Sequence, residues 1–202
     1  ACAPYRRLHL CHHNLESIDT TSMTHKLLLE VCMAAKYEGD SIKTHYTPYQ
    51  QKYKDSGSQL CTVLARSFAD IGDIVRGKDL FLGNDEEKQR DKLDDNLKKI
   101  FQKIYEGLSK NGAQDHYKDD AKKNFYQLRE DWWTANRHTV WEALTCHAPP
   151  DAQYFRATCN SADGKGSSVA QKQCRCDDNP NTDPPTYFDY VPQFLRWFEE
   201  WA

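Results

Sequence analysis

The sequence predicts an all-α protein, with long helices packed on each other and one irregular loop stapled by disulfide bonds. Three observations predict this class. Apolar residues recur at helical spacing in several long segments, no internal repeat of fixed period occurs, and three of the eight cysteines lie in a segment rich in Pro, Gly, Asn, Asp and Ser. With 39% apolar and 12% aromatic residues among 202, the chain can bury a sizeable core in one domain or two packed lobes.

The first two long helices are predicted over residues 20–38 and over "SQLCTVLARSFADIGDIVRG", residues 58–77. The apolar face of the first consists of Met23, Leu27, Val31, Ala34 and Ala35. That of the second consists of Leu60, Leu64, Phe68, Ile71 and Val75. Gly39 stands where a left-handed C-cap would end the first helix. Gly72 costs about 1 kcal/mol inside a helix, which predicts the close approach of another backbone there.

Two further helices are predicted over residues 84–112 and 119–145. Asn84 and Glu87 form a capping-box-like start to the first of these. Its apolar face consists of Leu93, Leu97, Ile100, Phe101, Ile104, Tyr105 and Leu108. The face of the second consists of Phe125, Leu128, Trp132, Ala135, Asn136, Val140 and Leu144.

The remaining segments are a variable loop and a C-terminal helix. Residues 148–186 are too long a stretch of loop-forming residues to lie free in a compact domain, so we expect cysteines to pin them to the surface. In "VPQFLRWFEEWA", residues 191–202, Pro192 suits the first turn of a helix. Its apolar stripe consists of Phe194, Trp197, Phe198 and Trp201.

The cysteine content indicates an oxidised, exported protein. The eight cysteines are Cys2, Cys11, Cys32, Cys61, Cys146, Cys159, Cys174 and Cys176. Zinc is the rival explanation, but structural zinc sites normally use close pairs such as C-x2-C, and this chain has only C-R-C and C-H-H. We therefore expect disulfide bonds, no metal site and no cofactor.

Charge and motif content exclude several classes of function. The 27 basic and 30 acidic residues give a formal net charge of −3, so no nucleic-acid partner is expected. No apolar run of about 18 residues occurs, so no direct insertion into a membrane is expected. Motifs of hydrolases, zinc proteases and nucleotide-binding loops are absent. Glu130 and Asp131 resemble an acid pair, but adjacent helical residues diverge by about 100°, so we expect no enzyme and keep a glycan-processing one only as a weaker alternative.

Long blocks of the sequence resemble a known family. They are "CAPYRRLHLC", "LLLEVCMAAKYEG", "SQLCTVLARSFADIGDIVRGKDL", "NFYQLREDWWTANRHTVWEALTC" and "YFDYVPQFLRWFEEWA". In order and over nearly the whole chain, they look like the blocks of a Duffy-binding-like (DBL) domain, of the DBL-alpha type found in erythrocyte membrane protein 1 of the malaria parasite. The resemblance implies that residues 1–202 are part of such a domain, divided into an N-terminal portion (1–57), a central helical subdomain (58–186) and the start of a C-terminal one (187–202).

The resemblance also implies cysteine pairings and structural roles. It pairs Cys61 with Cys146, and it places the partners of Cys2 and Cys11 upstream of the chain. Since Cys174 and Cys176 are too close to bond each other, we expect one to bond Cys159 and the other to reach Cys32 or a missing partner. The pair Arg6 and Arg7 is expected to tie the N-terminal segment to the helices. The helix from Pro192 is expected to dock onto a third subdomain, which would leave its stripe partly exposed here.

The function implied by the resemblance is binding to receptors on host cells, as a cytoadhesion or rosetting module of a variant surface antigen on infected erythrocytes. Expected partners are red-cell or endothelial receptors, sulfated glycans of the heparan sulfate type, blood-group sugars and adjacent domains of the parent protein. The expected location is the extracellular face of the infected erythrocyte, within a larger membrane-anchored protein, with this fragment itself soluble. The alternative is a structural, antigenically variable module beside a receptor-binding neighbour.

Candidate ligand-binding residues come from two groups of lysines. The groups are Lys98, Lys99 and Lys103, and Lys118, Lys122 and Lys123. If the helices carrying them pack antiparallel, the lysines could bind a sulfated glycan as point charges. Acidic residues are interleaved with them, so the alternative is an ordinary solvated helix face.

Overall fold

The protein is described by a computed structural model that covers residues 2–18, 24–53, 58–81, 87–109, 112–118, 120, 124–160, 167–177, 179 and 181–201. The helices within these ranges are α1 (Tyr5–Leu8), α2 (His13–Glu16), α3 (Thr24–Tyr53), α4 (Ser58–Arg76), α5 (Glu87–Gly107), α6 (Ala113–His116), α7 (Tyr126–Thr145) and α8 (Gln193–Trp201). A short antiparallel hairpin, β1 (Ala157–Asn160) with β2 (Ser167–Val169), and a 3₁₀ helix (Phe188–Tyr190) complete them. The predicted all-α class is confirmed.

The core is built on α3, α4 and α7. Helices α4 and α7 run antiparallel: Cys61 and Trp141 both contact Cys174 at one end, and Arg76 lies 3.5 Å from Glu130 at the other. Phe68 packs against the rings of Trp133 and Trp141, at centroid distances of 5.0 and 5.2 Å. The predicted apolar faces of α3 and α4 are buried, apart from Met23, which lies outside the described residues.

Helix α4 is the central element. Every residue from Ser67 to Arg76 is buried, so the C-terminal half of α4 is covered on all its faces. An ordinary amphipathic helix keeps a polar face in water. The polar side chains of this segment have no such face, and their partners must come from neighbouring elements.

Helix α3 is longer than predicted, and the reason lies at Gly39. The helix continues to Tyr53, so Gly39 is an interior residue and not a C-cap. A Cβ atom at Gly39 would lie 1.9 Å from the carbonyl oxygen of Leu144. The backbones of α3 and α7 therefore approach closely here, whereas the close neighbour of Gly72 is the ring of Trp133, at 2.7 Å from an added Cβ. The backbone approach predicted at Gly72 is wrong.

Helices α5 and α7 are shorter than predicted. Helix α5 ends at Gly107, and its proposed cap Asn84 lies outside the described residues. Helix α7 begins at Tyr126 and not at 119, because Phe125 has a left-handed backbone with φ of 59°. The carboxylate of Asp120 accepts hydrogen bonds from the backbone N–H groups of Gln127 and Leu128, at 3.1 and 2.9 Å, and so caps α7 from outside the helix.

The apolar faces predicted for these two helices are largely confirmed. On α5, Leu93, Leu97, Ile100 and Phe101 are buried, and Ile104 and Tyr105 pack against the core, as does Leu108 directly after the helix. On α7 and at its N-cap, the buried members are Phe125, Leu128, Trp132, Val140 and Leu144. Ala135 is exposed and Asn136 is half-buried, so these two residues lie at the edge of the face.

Two disulfide bonds staple the loop at 148–186, but the partner of Cys61 and the partner of Cys174 differ from the predictions. Cys176 bonds Cys159, as one of the pair was expected to do, and Cys174 bonds Cys61. The predicted bond from Cys61 to Cys146 is wrong, and so is the expectation that the second of Cys174 and Cys176 reaches Cys32 or a missing partner. Cys146 lies five residues after Trp141, about 140° further round α7, so its exposed thiol faces away from α4.

The other cysteines are free thiols, namely Cys2, Cys11, Cys32 and Cys146. Burial, aided by the charge of Glu38, raises the pKa of the Cys11 thiol to about 11. Burial and Glu142 raise the pKa of the Cys32 thiol to about 11 as well. Both thiols are therefore protonated and poorly nucleophilic near neutral pH.

Peptide mapping under non-reducing conditions should find Cys61 joined to Cys174 and Cys159 joined to Cys176. The first bond closes a loop with a sequence separation of 113, for which the chain-entropy relation gives about 5 kcal/mol. We expect Cys61→Ser and Cys174→Ser each to lower Tm by about 10 °C.

Cys146→Ser is the matched control, and its Tm should stay at the wild-type value because its thiol is free and exposed. A peptide joining Cys61 to Cys146, or a fall in Tm for Cys146→Ser as large as for Cys61→Ser, would contradict the observed pairing.

Candidate functional site

Helix α4 carries a buried cluster of charged and polar side chains. Ser67, Asp70, Asp73 and Arg76 recur at every third position of the sequence, and all four are buried. A buried charge without a partner is strongly destabilising. The partners of these side chains therefore determine which elements lie against α4.

Asp70 is held between two arginines from distant parts of the chain. Nη2 of Arg6 and Nη2 of Arg196 each donate to its carboxylate at 2.7 Å. Burial alone would raise the pKa of Asp70, but the two guanidinium groups lower it below its ordinary value. The ionised carboxylate thus ties α1 and α8 to α4.

Asp73 lies one turn further along α4 and shares a partner with Asp70. Its carboxylate accepts from Nη2 of Arg196 at 2.5 Å and from Nη2 of Arg76 at 2.8 Å. Burial raises the pKa of Asp73 to about 6, although both arginines act in the opposite direction. Asp73 therefore takes up a proton at a higher pH than Asp70.

The N-terminal arginines connect further elements to this cluster. Arg6 also donates to both carboxylate oxygens of Glu200, at 3.0 and 2.9 Å, and to Oγ of Ser67 at 3.0 Å. Arg7 is paired with Asp79. The architectural role expected for Arg6 and Arg7 is confirmed.

A second buried ion pair fixes the segment before α8. Arg137 donates from Nε and Nη2 to the two carboxylate oxygens of Asp189, each at 2.9 Å. Asp189 also accepts from Nε1 of Trp133 at 2.9 Å, and its backbone carbonyl accepts from Arg76 at 2.6 Å. Because these donors lie on α7 and α4, the 3₁₀ helix is fixed against both.

Helix α8 presents its apolar side outwards. Gln193, Arg196 and Trp197 are buried, whereas Phe194, Phe198 and Trp201 are 49%, 73% and 62% exposed. Gln193, Arg196 and Glu200 face the charged cluster. Most of the apolar stripe faces solvent, which confirms the expected partial exposure. We call Phe194, Leu195, Phe198 and Trp201 the outer face of α8.

The three lysines of the first predicted group have different environments. Lys98 is half-buried and pairs with Asp94 at 3.0 Å and with Asp95 at 3.9 Å. Lys99 and Lys103 are exposed, and neither lies within ion-pair distance of a carboxylate in the described part of the chain. Among the residues that the structure describes, Lys99 and Lys103 are thus the two members of this group whose charge faces solvent without a paired carboxylate.

The second predicted lysine group is not placed on a long helix. Lys118 is exposed in the turn that follows the four-residue helix α6, where its backbone N–H bonds the carbonyl of Asp115. Lys122 and Lys123 lie outside the described residues. The pairing of lysines across two packed helices is therefore wrong for Lys118 and is not described for the other two.

A small cleft lies between the C-terminal end of α7 and the stapled loop. Its volume is about 150 Å³, and Trp141, Glu142, Arg175 and Asp177 are among its lining residues. Arg175 is fixed by donating to Oγ1 of Thr145 at 2.8 Å and to the carbonyl of Glu142 at 2.7 Å. The loop is thus attached to α7 by polar contacts as well as by disulfides.

The acidic pair beside the tryptophans does not converge. Glu130 contacts Lys78 and Arg76, while Asp131 accepts from the hydroxyl of Tyr117 at 2.6 Å. Within the described ranges, no group of three or more His, Cys, Asp or Glu side chains is arranged to hold a metal ion.

Within the described ranges, no helix is both long enough and apolar enough to cross a lipid bilayer.

The charged cluster around α4 is not among the features predicted from the sequence. The signal for it is the polar stripe at every third residue of "SFADIGDIVR", which interrupts an otherwise apolar helix. Such a stripe ordinarily marks a solvated face. The side chains that cover this stripe include Arg6 and Arg196. Because both are distant in sequence, the sequence alone does not reveal that the stripe is buried.

Comparisons by sequence and by structure both relate this chain to the same family of domains. The sequence model described as the Duffy binding domain matches residues 1–196. The NTS-DBL1(alpha-1) domain of Plasmodium falciparum membrane protein 1 (PfEMP1), varO strain, is 46% identical with a TM-score of 0.79. That alignment covers 100% of this chain and 43% of the domain structure. No curated protein sequence gives a significant match.

Two further solved structures extend the relationship. The NTS-DBL1-alpha and CIDR-gamma double domain of varO PfEMP1 from Plasmodium falciparum is 46% identical, with a TM-score of 0.81 over 100% of this chain and 27% of that one. The ICAM-1-binding DBLbeta domain of IT4var13 PfEMP1 is 36% identical, with a TM-score of 0.70 over 97% of this chain and 41% of that one. The chain thus spans less than half the length of these solved relatives.

The two carboxylates of α4 should titrate differently. We expect the Asp73 carboxyl resonance in a ¹³C NMR titration to have a midpoint near pH 6, because burial raises its pKa to about 6, and Asp70 to remain ionised at pH 5, because its pKa is lowered.

The raised pKa of Asp73 makes the free energy of unfolding depend on pH. A carboxyl pKa raised on folding makes the ionised form unfavourable in the folded state, so the contribution of Asp73 to stability increases as pH falls through 6 towards its unfolded value. Asp73→Asn should remove the midpoint near pH 6. A midpoint below pH 4 for Asp73, or one near 6 for Asp70, would contradict the assignment.

Proposed function

This chain belongs to the Duffy-binding domain family, and from that premise we propose that it contributes to binding a receptor on host cells, as part of a variant surface antigen of infected erythrocytes. The observation that carries the proposal is its similarity to the ICAM-1-binding DBLbeta domain of PfEMP1, which is 36% identical over 97% of this chain. The proposed location is the extracellular face of the infected erythrocyte, within a larger membrane-anchored protein.

The architecture suits a binding module. Two disulfide bonds and the buried ion pairs of Asp70 and Asp189 fix the loop and the chain ends to the helices. A surface fixed in this way loses little conformational entropy when it binds a partner. Sequence variation in exposed positions can then change the partner without changing the scaffold.

A sulfated glycan is the finer proposal, and it rests on α5. Lys92, Lys99 and Lys103 are exposed, and within the described ranges no carboxylate lies within ion-pair distance of them. Their spacing of seven and four residues places them within about 40° of each other, along about 16 Å of one helix face. A linear polyanion lying parallel to α5 would meet all three charges. Lys98 is not part of this stripe, because it lies about 100° round the helix from Lys99 and is paired with Asp94 and Asp95.

The alternative is that this chain is a structural and antigenically variable module, with receptor binding carried by a neighbouring domain. The observation that favours it is the share of the relatives covered, 43% of the DBL1(alpha-1) structure. A receptor site on the uncovered part of such a domain would leave this chain as its support.

The receptor proposal is tested by a direct binding scan. We would immobilise the chain and measure binding of ICAM-1 and other endothelial and red-cell receptor ectodomains, heparan sulfate and blood-group oligosaccharides by surface plasmon resonance. Saturable binding of at least one of them supports the proposal. Binding only by a longer protein that contains this chain, with none by the chain itself, favours the structural alternative.

The lysine stripe gives a separate prediction. Lys99→Gln with Lys103→Gln should weaken heparin binding about tenfold at low salt, since each lost exposed charge contact contributes at most about 1 kcal/mol. Binding by the wild type should fall steeply with salt.

Lys98→Gln is the matched control, because it removes the same charge from a lysine already paired with Asp94. We expect it to bind heparin as the wild type does. Equal effects of Lys98→Gln and the double variant, or heparin binding that ignores salt, would assign these lysines to a solvated helix face.

A further inference from the structure

The two disulfide bonds differ in how closely solvent approaches them. Cys61 and Cys174, which form the first bond, are both 0% exposed. In the second bond Cys159 is 2% exposed, whereas Cys176 is half-buried and lines the cleft between α7 and the stapled loop. A thiolate that exchanges with a disulfide must reach one of its sulfur atoms. The bond between Cys159 and Cys176 is therefore the more accessible of the two, and its approach is from the side of Cys176.

The cleft beside Cys176 has room for a small molecule. Its volume of about 150 Å³ equals that of about five water molecules at about 30 Å³ each. Pockets that enclose drug-sized ligands are larger, at about 300–1,000 Å³. One wall is formed by Trp141, which is held by a hydrogen bond of 3.1 Å from its Nε1 to the carbonyl of Cys174. A thiol with a short carbon chain therefore fits the cleft, whereas a bulky peptide thiol does not.

Negative charge predominates in the lining of the cleft. Glu142 of α7 and Asp177 and Asp183 of the loop supply three carboxylates, and Arg175 supplies the one guanidinium group among the described lining residues. Arg175 is fixed on α7, since its Nη2 donates to the backbone carbonyl of Glu142 at 2.7 Å. The cleft thus has two negative charges in excess, which attract a cationic reagent and repel an anionic one.

The two loop carboxylates are only partly compensated by their neighbours. A hydrogen bond from the hydroxyl of Thr182 lowers the pKa of Asp177, so this carboxyl is ionised near neutral pH. Asp183 lies 3.7 Å from Nη1 of Arg137, but Nε and Nη2 of the same guanidinium donate to Asp189, each at 2.9 Å. Because Asp183 shares this cation with a closer carboxylate, part of its charge acts on the cleft.

We propose that Cys176 is a modification site for small, positively charged thiols. The thiolate attacks the sulfur of Cys176, a bond forms between these two sulfur atoms, and the bond to Cys159 breaks. The electron pair of the broken bond goes to the sulfur of Cys159, which takes up a proton and becomes a thiol. A second thiol molecule then displaces the first from Cys176, which gives a small-molecule disulfide and a second free thiol in the protein.

The modification removes one staple of the loop and leaves the other. Strand β1 remains attached by a hydrogen bond from Oγ1 of Thr158 to the carbonyl of Pro185. The bond between Cys61 and Cys174 still joins the loop to α4. The exposed hairpin therefore gains freedom, while the packing of α4 on α7 is retained.

Disulfide mapping after limited reaction tests the position of attack. The free thiols of the chain are first blocked with iodoacetamide, the chain is treated with cysteamine at low salt, and new thiols are labelled with N-ethylmaleimide before mass spectrometry. Cysteamine should be found as a mixed disulfide on Cys176 and the new label on Cys159, while the bond between Cys61 and Cys174 remains. Cysteamine attached to Cys159, or label on Cys61 or Cys174 at equally early times, would overturn the proposal.

The charge preference is tested with 2-mercaptoethanesulfonate as the matched anionic thiol. Rate constants are expressed per thiolate and divided by those for the neutral bis(2-hydroxyethyl) disulfide. Cysteamine should then open the bond between Cys159 and Cys176 at least about tenfold faster at low salt. Glu142→Gln with Asp183→Asn should reduce this ratio at least about threefold.

Asp115→Asn is the matched control, because it removes an exposed carboxylate on α6 that does not line the cleft. We expect it to leave the ratio at the wild-type value. Equal rates for the two thiols with the wild type, or a ratio that the double variant does not change, would overturn the proposal.

Discussion

The burial of two carboxylates on the central helix is the constraint on which the rest of the structure depends. Every residue from Ser67 to Arg76 is covered, so Asp70 and Asp73 have no access to bulk water. Ionised groups in such a position need cationic partners with good geometry. Arg6, Arg76 and Arg196 supply them, and two of these three lie near opposite ends of the chain. Charge pairing at α4 thus brings α1 and α8 together.

This arrangement explains why helix α8 has an unusual surface. Gln193 and Arg196 bond Asp70 on the inner side of the helix, whereas Phe194, Phe198 and Trp201 remain exposed on the outer side. The related DBL domains of PfEMP1 are more than twice as long as this chain. A scaffold held by buried ion pairs and disulfides can keep its core arrangement while exposed residues vary, which agrees with TM-scores of 0.79 and 0.70 at identities of 46% and 36%.

Helical periodicity was sufficient to predict most of the fold, because apolar side chains at i, i+3, i+4 and i+7 have few alternatives to a buried helix face. The wrong or missing predictions concern contacts between residues that are distant in sequence. Gly39 has the local sequence of a helix end, because nothing local shows that Leu144 lies against it. The family resemblance pairs Cys61 with Cys146, whose thiol faces away from α4, while the bonded partner Cys174 lies in a loop without periodicity. The pairing of Asp70 with Arg6 and Arg196 could not be predicted, since those residues are separated by most of the chain.

A double-mutant cycle between Asp70 and Arg196 tests the central claim most directly. The free energy of unfolding would be measured in urea for Asp70→Asn, for Arg196→Gln and for both together. Removing one partner leaves the other with a single ion pair, which is Arg6 for Asp70 and Asp73 for Arg196. Each single variant should therefore lose about 3 kcal/mol, the lower end of the range for a broken buried pair. The double variant should lose less than the sum, with a coupling energy of about 2 kcal/mol. Additive losses, or single losses below about 1 kcal/mol, would contradict the claim that this pair organises the fold.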